Sequence, residues 1–197
     1  MKAHDEKGLK ILIQQCQNGQ QKAMKTLFNR YYRKMFAVVN RYVYNKEQVK
    51  DLLQDGFLKL FKNIDKVDLS RLSEFECWMK TIFINLSIDY LRKAQKMELS
   101  TRYDSDMMEQ QTIDEAFNDA AANLEVDFLM EVIHDLPVGC KMVFNLYVID
   151  GLKHEEIAEK LNIKVSSSRS QLTRARSLLK KKLPSRFQSV RNKPENK

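Results

Sequence analysis

Between Gln20 and Tyr44 apolar residues recur every four positions, at Ala23, Leu27, Tyr31 and Met35, and Phe28, Phe36, Val39 and Val43 widen the stripe. That period predicts an amphipathic helix. A shorter helix is expected before it, from Leu9 to Cys16, with Asn18-Gly19 as the break. Asn45 then offers a cap, and Gln48 stands where a capping box needs its second member. The helix it opens carries Val49, Leu52, Leu53, Phe57, Leu60 and Phe61 on its apolar side. Asn63 to Ser73 is polar and reads as a loop. Phe75, Trp78, Met79, Ile82 and Leu86 begin a further helix that should run to about Lys96. Together these helices make one small basic bundle.

A second bundle is expected further on. Phe128, Leu129, Val132 and Ile133 form a short apolar face, ended by Leu136-Pro137. Met142, Val143, Leu146 and Tyr147 mark the next helix, closed by Asp150-Gly151. A helix from His154 to Leu161, a tight turn, and a longer helix to Leu183 then read as a helix-turn-helix, stopped by Pro184. The expected class is all-α: two small helical domains, residues 8–97 and 126–184, joined by a flexible linker at 98–125. A frayed basic tail is expected at 185–197.

Composition narrows this picture. Five glycines and three prolines in 197 residues are too few for a loop-rich β-sandwich or a glycine-built nucleotide site. No stretch approaches the roughly 18 apolar residues of a membrane span, so membrane insertion is not expected. The start MKAHDEKGLK lacks the apolar core of a signal peptide. Cys16, Cys77 and Cys140 are odd in number and widely spaced, and His4, His134 and His154 are scattered. Disulfides, a zinc site and any cofactor are therefore not expected, and buried thiols in a reducing cytoplasm are.

Charge adds a partner. The net charge of +8 suggests an anionic ligand. From Glu98 to Asp127 the chain holds nine acids and one base, Arg102. Setting that strip aside leaves 33 bases against 17 acids, a balance of +16. Two basic bundles thus flank an acidic linker.

FECWMKTIFINLSIDYLRK, in the first bundle, resembles the promoter-melting part of bacterial sigma factors of the extracytoplasmic-function type. DLLQDGFLKLF resembles their polymerase-binding helix, and GLKHEEIAEKLNIKVSSSRSQLTRARSLLKKKL resembles their promoter-reading helix-turn-helix. The resemblance implies an alternative sigma factor with no catalytic activity of its own, which brings core RNA polymerase to promoters and promotes melting. The implied partners are core RNA polymerase, promoter DNA as duplex and as melted single strand, and an anti-sigma factor. Lys153 and Lys164 depart from the family pattern, standing where a capping Ser is common, and Ser166 stands where Gly is common.

The residues themselves support specific roles. On the last helix Leu172, Ala175 and Leu179 share a narrow arc and should face a partner helix. Ser166, Ser170, Thr173, Arg174, Ser177 and Lys181 lie opposite, flanked by Arg169, Gln171 and Arg176. Small hydroxyls allow deep entry into a major groove, Arg suits guanine and Gln suits adenine. With Lys164 and Ser167 at the helix start, these are the candidate minus-thirty-five contacts. In the first bundle Lys80, Thr81, Asn85, Arg92, Lys93 and Lys96 can line a basic groove for unstacked bases. Ser70, Arg71 and Ser73 lie in the loop at its entrance, which resembles the family's base-capturing loop. Trp78 could stack on a base or pack in the core, whose face it shares with Phe75 and Ile82. Asp89 is spaced to orient Asn85 and Arg92. Asp51, Gln54 and Asp55, with Phe57 close by, form the candidate polymerase contact. Two other classes remain open at this point. A metal-dependent helical hydrolase could use Asp51 and Asp55, with Glu47 and Asp89 as weak recruits. A stand-alone regulator could use the helix-turn-helix by itself.

Overall fold

The structure, a computed structural model, describes residues 3–101 and 123–183. They fall into two compact helical units, one on each side of the undescribed stretch. That stretch holds most of the acidic strip. The expected linker at 98–125 therefore lies outside the described residues except at its ends, where 98–101 belong to α4 and 123–125 to α5. The expected tail at 185–197 lies outside them entirely.

The first unit contains α1 (Ala3–Gln17), α2 (Gln21–Asn40), α3 (Lys46–Lys62) and α4 (Phe75–Thr101). The four-residue stripe of α2 is its buried face: Ala23, Leu27, Tyr31 and Met35 are all inside. The helix ends at Asn40, short of Tyr44. Tyr42 and Val43 are nonetheless buried, so their apolar signal reports core packing beyond the helix end. Asn45 caps α3 as expected, its Oδ1 accepting from the backbone N–H of Glu47 at 2.9 Å and of Gln48 at 3.2 Å. The reciprocal half of the capping box does not form, because the Gln48 side chain accepts the Tyr90 hydroxyl instead. Gly56 lets α3 approach α4 closely. A Cβ there would overlap the Phe83 ring.

The expected loop at 63–73 is more ordered than its polarity suggested. It holds two short 3-10 turns, Ile64–Lys66 and Leu72–Glu74. Ile64 and Leu72 are buried beneath them. The helix that follows outlasts its expected end at Lys96 by several residues.

The second unit contains α5 (Asn123–His134), α6 (Val138–Phe144), α7 (His154–Leu161) and α8 (Val165–Lys182). The helix α6 does not stop cleanly but continues as a π-helical segment, Asn145–Ile149. Val132, Ile133, Leu136, Cys140, Ala175 and Leu179 form a core that ties α5 and α6 to α8. Between α7 and α8, Asn162 takes the left-handed conformation with φ 51°, one of the few costs Asn tolerates in place of Gly. Lys153 and Lys164 are the residues that precede α7 and α8, and neither side chain caps its helix. An ammonium has no acceptor to offer. At α7 the Glu156 carboxylate substitutes in part, accepting the Lys153 backbone N–H at 2.7 Å. Cys16 and Cys140 are buried, whereas Cys77 is exposed, against the expectation for all three.

Candidate nucleic-acid interface

The helix α8 sorts its residues as the spacing required. Leu172, Ala175 and Leu179 are buried. Ser166, Ser170, Thr173, Arg174, Ser177 and Lys181 are all exposed. Arg169, Ser170, Thr173, Arg174, Ser177, Leu178 and Lys181 line an open groove of about 590 Å³. Among the described residues no carboxylate lines it. Ser170 Oγ donates to the Ser166 carbonyl at 3.0 Å, and Thr173 Oγ1 to that of Arg169 at 3.1 Å. Each hydroxyl thereby spends its proton on its own helix and turns lone pairs outward. Arg169 also lies 3.7 Å from the Glu155 carboxylate of α7, an exposed and therefore weak pair.

Two of the flanking residues, Gln171 and Arg176, are placed otherwise. Gln171 is half-buried against Gly139, and its Oε1 is buried without a hydrogen-bond partner among the described residues. It does not join the exposed face. The Arg176 guanidinium sits 5.9 Å over the Tyr147 ring, and that ring stacks on His154 with centroids 4.5 Å apart. Arg176 thus braces the unit on a second side. Ser167 is half-buried and Lys164 exposed at the helix start. Sequence reasoning passed over Ser168, which is fully buried with Oγ 2.9 Å from His154 Nδ1. Its spacing to Leu172, Ala175 and Leu179 marked it as an inward position; only its polarity disguised it.

In the first unit Lys66, Val67, Asp68, Arg71, Glu74, Phe75 and Trp78 line a cleft of about 200 Å³. Asp68 organises its rim. Its Oδ1 accepts the Ser70 backbone N–H at 2.8 Å and the Ser70 hydroxyl at 2.7 Å. These bonds hold the Asp68 carboxyl below its usual range. The Arg71 guanidinium reaches Glu74 Oε1 at 2.6 Å. Trp78 is half-buried, with its ring centroid 5.9 Å from that of Phe75. It serves the core and the cleft at once. Ser70 and Ser73 are exposed beside the cleft and do not line it.

Along α4, Trp78, Thr81, Asn85, Arg92 and Lys96 follow i, i+3, i+7, i+14 and i+18 and share one stripe leading from the cleft. Lys80 falls off this stripe and is half-buried, and Lys93 lies at its edge. The Asp89–Arg92 pair is present but long, at 3.9 Å.

The outward face of α3 presents Asp51, Gln54 and Asp55. Phe57 does not belong to it and is removed from the polymerase-contact set. It is 3% exposed, with Phe28 at 4.5 Å and Phe83 at 5.2 Å between ring centroids. The apolar member of that face is Leu58, 60% exposed. One residue is 100° of helix, enough to exchange core for surface. Among the described residues no group of three His, Cys, Asp or Glu converges as a metal site. Nor is any described helix long and apolar enough to cross a membrane.

An open face of Arg, Lys and hydroxyl side chains on α8, and in the other unit a small cleft whose stripe ends in Arg92 and Lys96, suit a DNA-reading transcription factor; the family matches make it one of the sigma-70 type. The Sigma-70 region 2 family matches residues 27–97, and the Sigma-70, region 4 family matches residues 129–179. The chain is 30% identical over 182 residues to the ECF RNA polymerase sigma factor SigW of Bacillus subtilis, covering 89% of this chain and 96% of that one. It is 27% identical over 180 residues to the ECF RNA polymerase sigma-E factor of Haemophilus influenzae, covering 87% and 93%. The fold is that of the sigma factor RpoE from Bartonella quintana, solved with the anti-sigma factor NepR. The TM-score is 0.55 at 19% identity, over 82% of this chain and 96% of that one. The chain belongs to the extracytoplasmic-function sigma factors. It is an alternative sigma factor that directs RNA polymerase to promoters.

Proposed function

We propose a division of labour among three faces. The outward face of α3, with Asp51, Gln54, Asp55 and Leu58, docks on a basic and apolar surface of core RNA polymerase. The cleft between Lys66 and Trp78 takes an unpaired base of the minus-ten element. Thr81, Asn85, Arg92, Lys93 and Lys96 then follow the melted strand. The outward face of α8 enters the major groove at the minus-thirty-five element. There Arg174 and Arg169 reach base edges, and Lys181 meets phosphate.

On this reading residues 8–97 and 126–184 are the working domains, and 98–125 links them. The chain supplies no catalytic step; it works in the cytoplasm, where it joins a polymerase that does. An anti-sigma factor, as named for the Bartonella protein, would act by covering one of these faces. The observation that carries the reading is the contrast between neighbouring helices. One outward face of α3 gathers Asp51, Gln54, Asp55 and Leu58, whereas the α4 stripe leads from half-buried Trp78 to Arg92 and Lys96.

Charge reversal separates this reading from that of a stand-alone regulator. Asp51→Lys with Asp55→Lys alters exposed positions only, so circular dichroism should be unchanged. Co-elution with core polymerase in gel filtration should be lost. Undiminished co-elution of the folded variant overturns the docking face.

A further inference from the structure

Gln17, the last residue of α1, reaches across to the loop that shapes the base cleft. Its Nε2 donates to the Ile64 carbonyl at 3.0 Å and to the Val67 carbonyl at 3.1 Å. These acceptors are the first residue of a 3-10 turn and the residue that closes it. An amide NH₂ carries two protons, so both bonds form together and one side chain clasps both ends of the turn. Val67 N–H also returns to the Ile64 carbonyl, at 3.1 Å. From there the chain passes through Lys66, Val67 and Asp68 into the wall of the cleft. Order continues beyond it. Arg71 N–H donates to the Asp68 carbonyl at 3.1 Å, and Glu74 N–H to that of Arg71 at 3.0 Å.

The anchor is firm. Leu9, Ile13 and Cys16 bury the inner face of α1, at 1% exposure or less. That apolar face explains why α1 packs. It does not explain an amide that bridges 47 and 50 residues of sequence to two loop carbonyls. The region 2 match begins at residue 27, so α1 and Gln17 lie outside it.

We propose that Gln17 is a positioning residue. It holds the Lys66–Asp68 wall at the separation from Trp78 that admits an unpaired base, so α1 tunes minus-ten capture without touching DNA. The inference rests on the cleft being a base site, and its test must separate the two ideas.

The test uses full-length chain in complex with core polymerase and a promoter bubble with an unpaired non-template strand. Abasic sites are placed one at a time along that strand. In the wild type one position should weaken binding by roughly tenfold, as expected when a stacked base is lost. With Gln17→Leu that penalty should collapse toward none, while core binding and the thermal midpoint stay near wild type. Gln17→Met, which preserves side-chain length without the donors, should behave alike and guards against a packing artefact of the branched leucine. A uniform loss across all positions with the abasic penalty intact means mere structural support, and overturns the proposal. So does an unchanged penalty in both variants. Trp78→Ala is the control for the cleft itself. If it leaves the abasic penalty intact, the cleft reading fails. If it abolishes the penalty and the Gln17 variants do not, only the positioning role fails.

Discussion

Arg174 and Lys181 share one groove, and their chemistry separates them. A guanidinium offers a planar fork that fits a base edge, whereas an ammonium is a point charge suited to phosphate. Arg174→Ala should therefore lose about 1–3 kcal/mol on the matched minus-thirty-five element and little on a scrambled one. Lys181→Ala should weaken both alike and flatten the salt dependence. Holoenzyme binding titrations on both duplexes, at several salt concentrations, measure the difference. Equal losses for Arg174→Ala would make it a phosphate contact. Lys141 raises a different matter. It is 8% exposed, and burial lowers its ammonium to about 8, against the opposing pull of Asp135. The unfolded chain keeps the ordinary lysine value. Below about pH 8 both states are protonated, and the fold bears the whole cost of the buried charge, roughly 3 kcal/mol. As pH rises from about 8 to 10.5 the unfolded state holds a proton that the folded state has released, so stability increases. Lys141→Met should stabilise the protein in urea unfolding at pH 7 and have less effect near pH 10. Subtracting the two pH profiles cancels other groups, including the buried Cys140 thiol, whose pKa burial raises. A gain that persists undiminished at high pH would contradict the buried charge.

At the scale of elements, α3 and α4 are held by a close approach at Gly56. Gly→Ala inside a helix ordinarily gains up to about 1 kcal/mol. Here the added methyl meets the ring of Phe83, which is fully buried and wedged edge-on against Phe57 at 5.2 Å. The ring has nowhere to go, and overpacking typically costs about 1–3 kcal/mol. Gly56→Ala should lower the thermal midpoint, and a rise would show that the helices stand further apart. Helices such as α2 and α8 were legible because they bury one stripe, and a stripe at period 3.6 survives in sequence as periodicity. By contrast α4 buries Ile82, Phe83 and Ile84 in a row and α6 buries Cys140 to Val143, so their periodicity is weaker. Helix ends were less so. Tyr42 and Val43 extended the apolar signal past Asn40 because they are buried outside the helix. The order within 63–74 was invisible, since it depends on Gln17, which is remote in sequence, and on the bonds that Asp68 makes. Phe57 was legible as an inward residue from its spacing to Leu53, Leu60 and Phe61, and its place in the polymerase-contact set rested only on its nearness to Asp55. Leu58 falls outside that stripe, and its exposure went unread. Gln171 looked like a base reader by type. The structure sets it against Gly139 of another helix, a tertiary contact that no local pattern announces.

Across the whole molecule, charge was the most legible property. The acids cluster from Glu98 to Asp127, the first unit is clearly basic, and in the second unit the cations gather on α8. A basic surface alone binds any nucleic acid, and does so less as salt rises. Promoter selection needs more: a polymerase to carry, a duplex to read and a strand to hold open. On the proposed assignment those demands fall to the faces of α3 and α8 and to the Lys66–Trp78 cleft. The most direct measurement is run-off transcription with purified core RNA polymerase on fragments of the source genome, with and without this chain. Discrete transcripts should appear only when the chain is present, starting a short fixed distance downstream of a shared pair of sequence elements. They should vanish with Asp51→Lys and Asp55→Lys. Co-elution with core but no promoter-specific transcript from any fragment, or transcripts unaffected by the charge reversal, would contradict this assignment of faces.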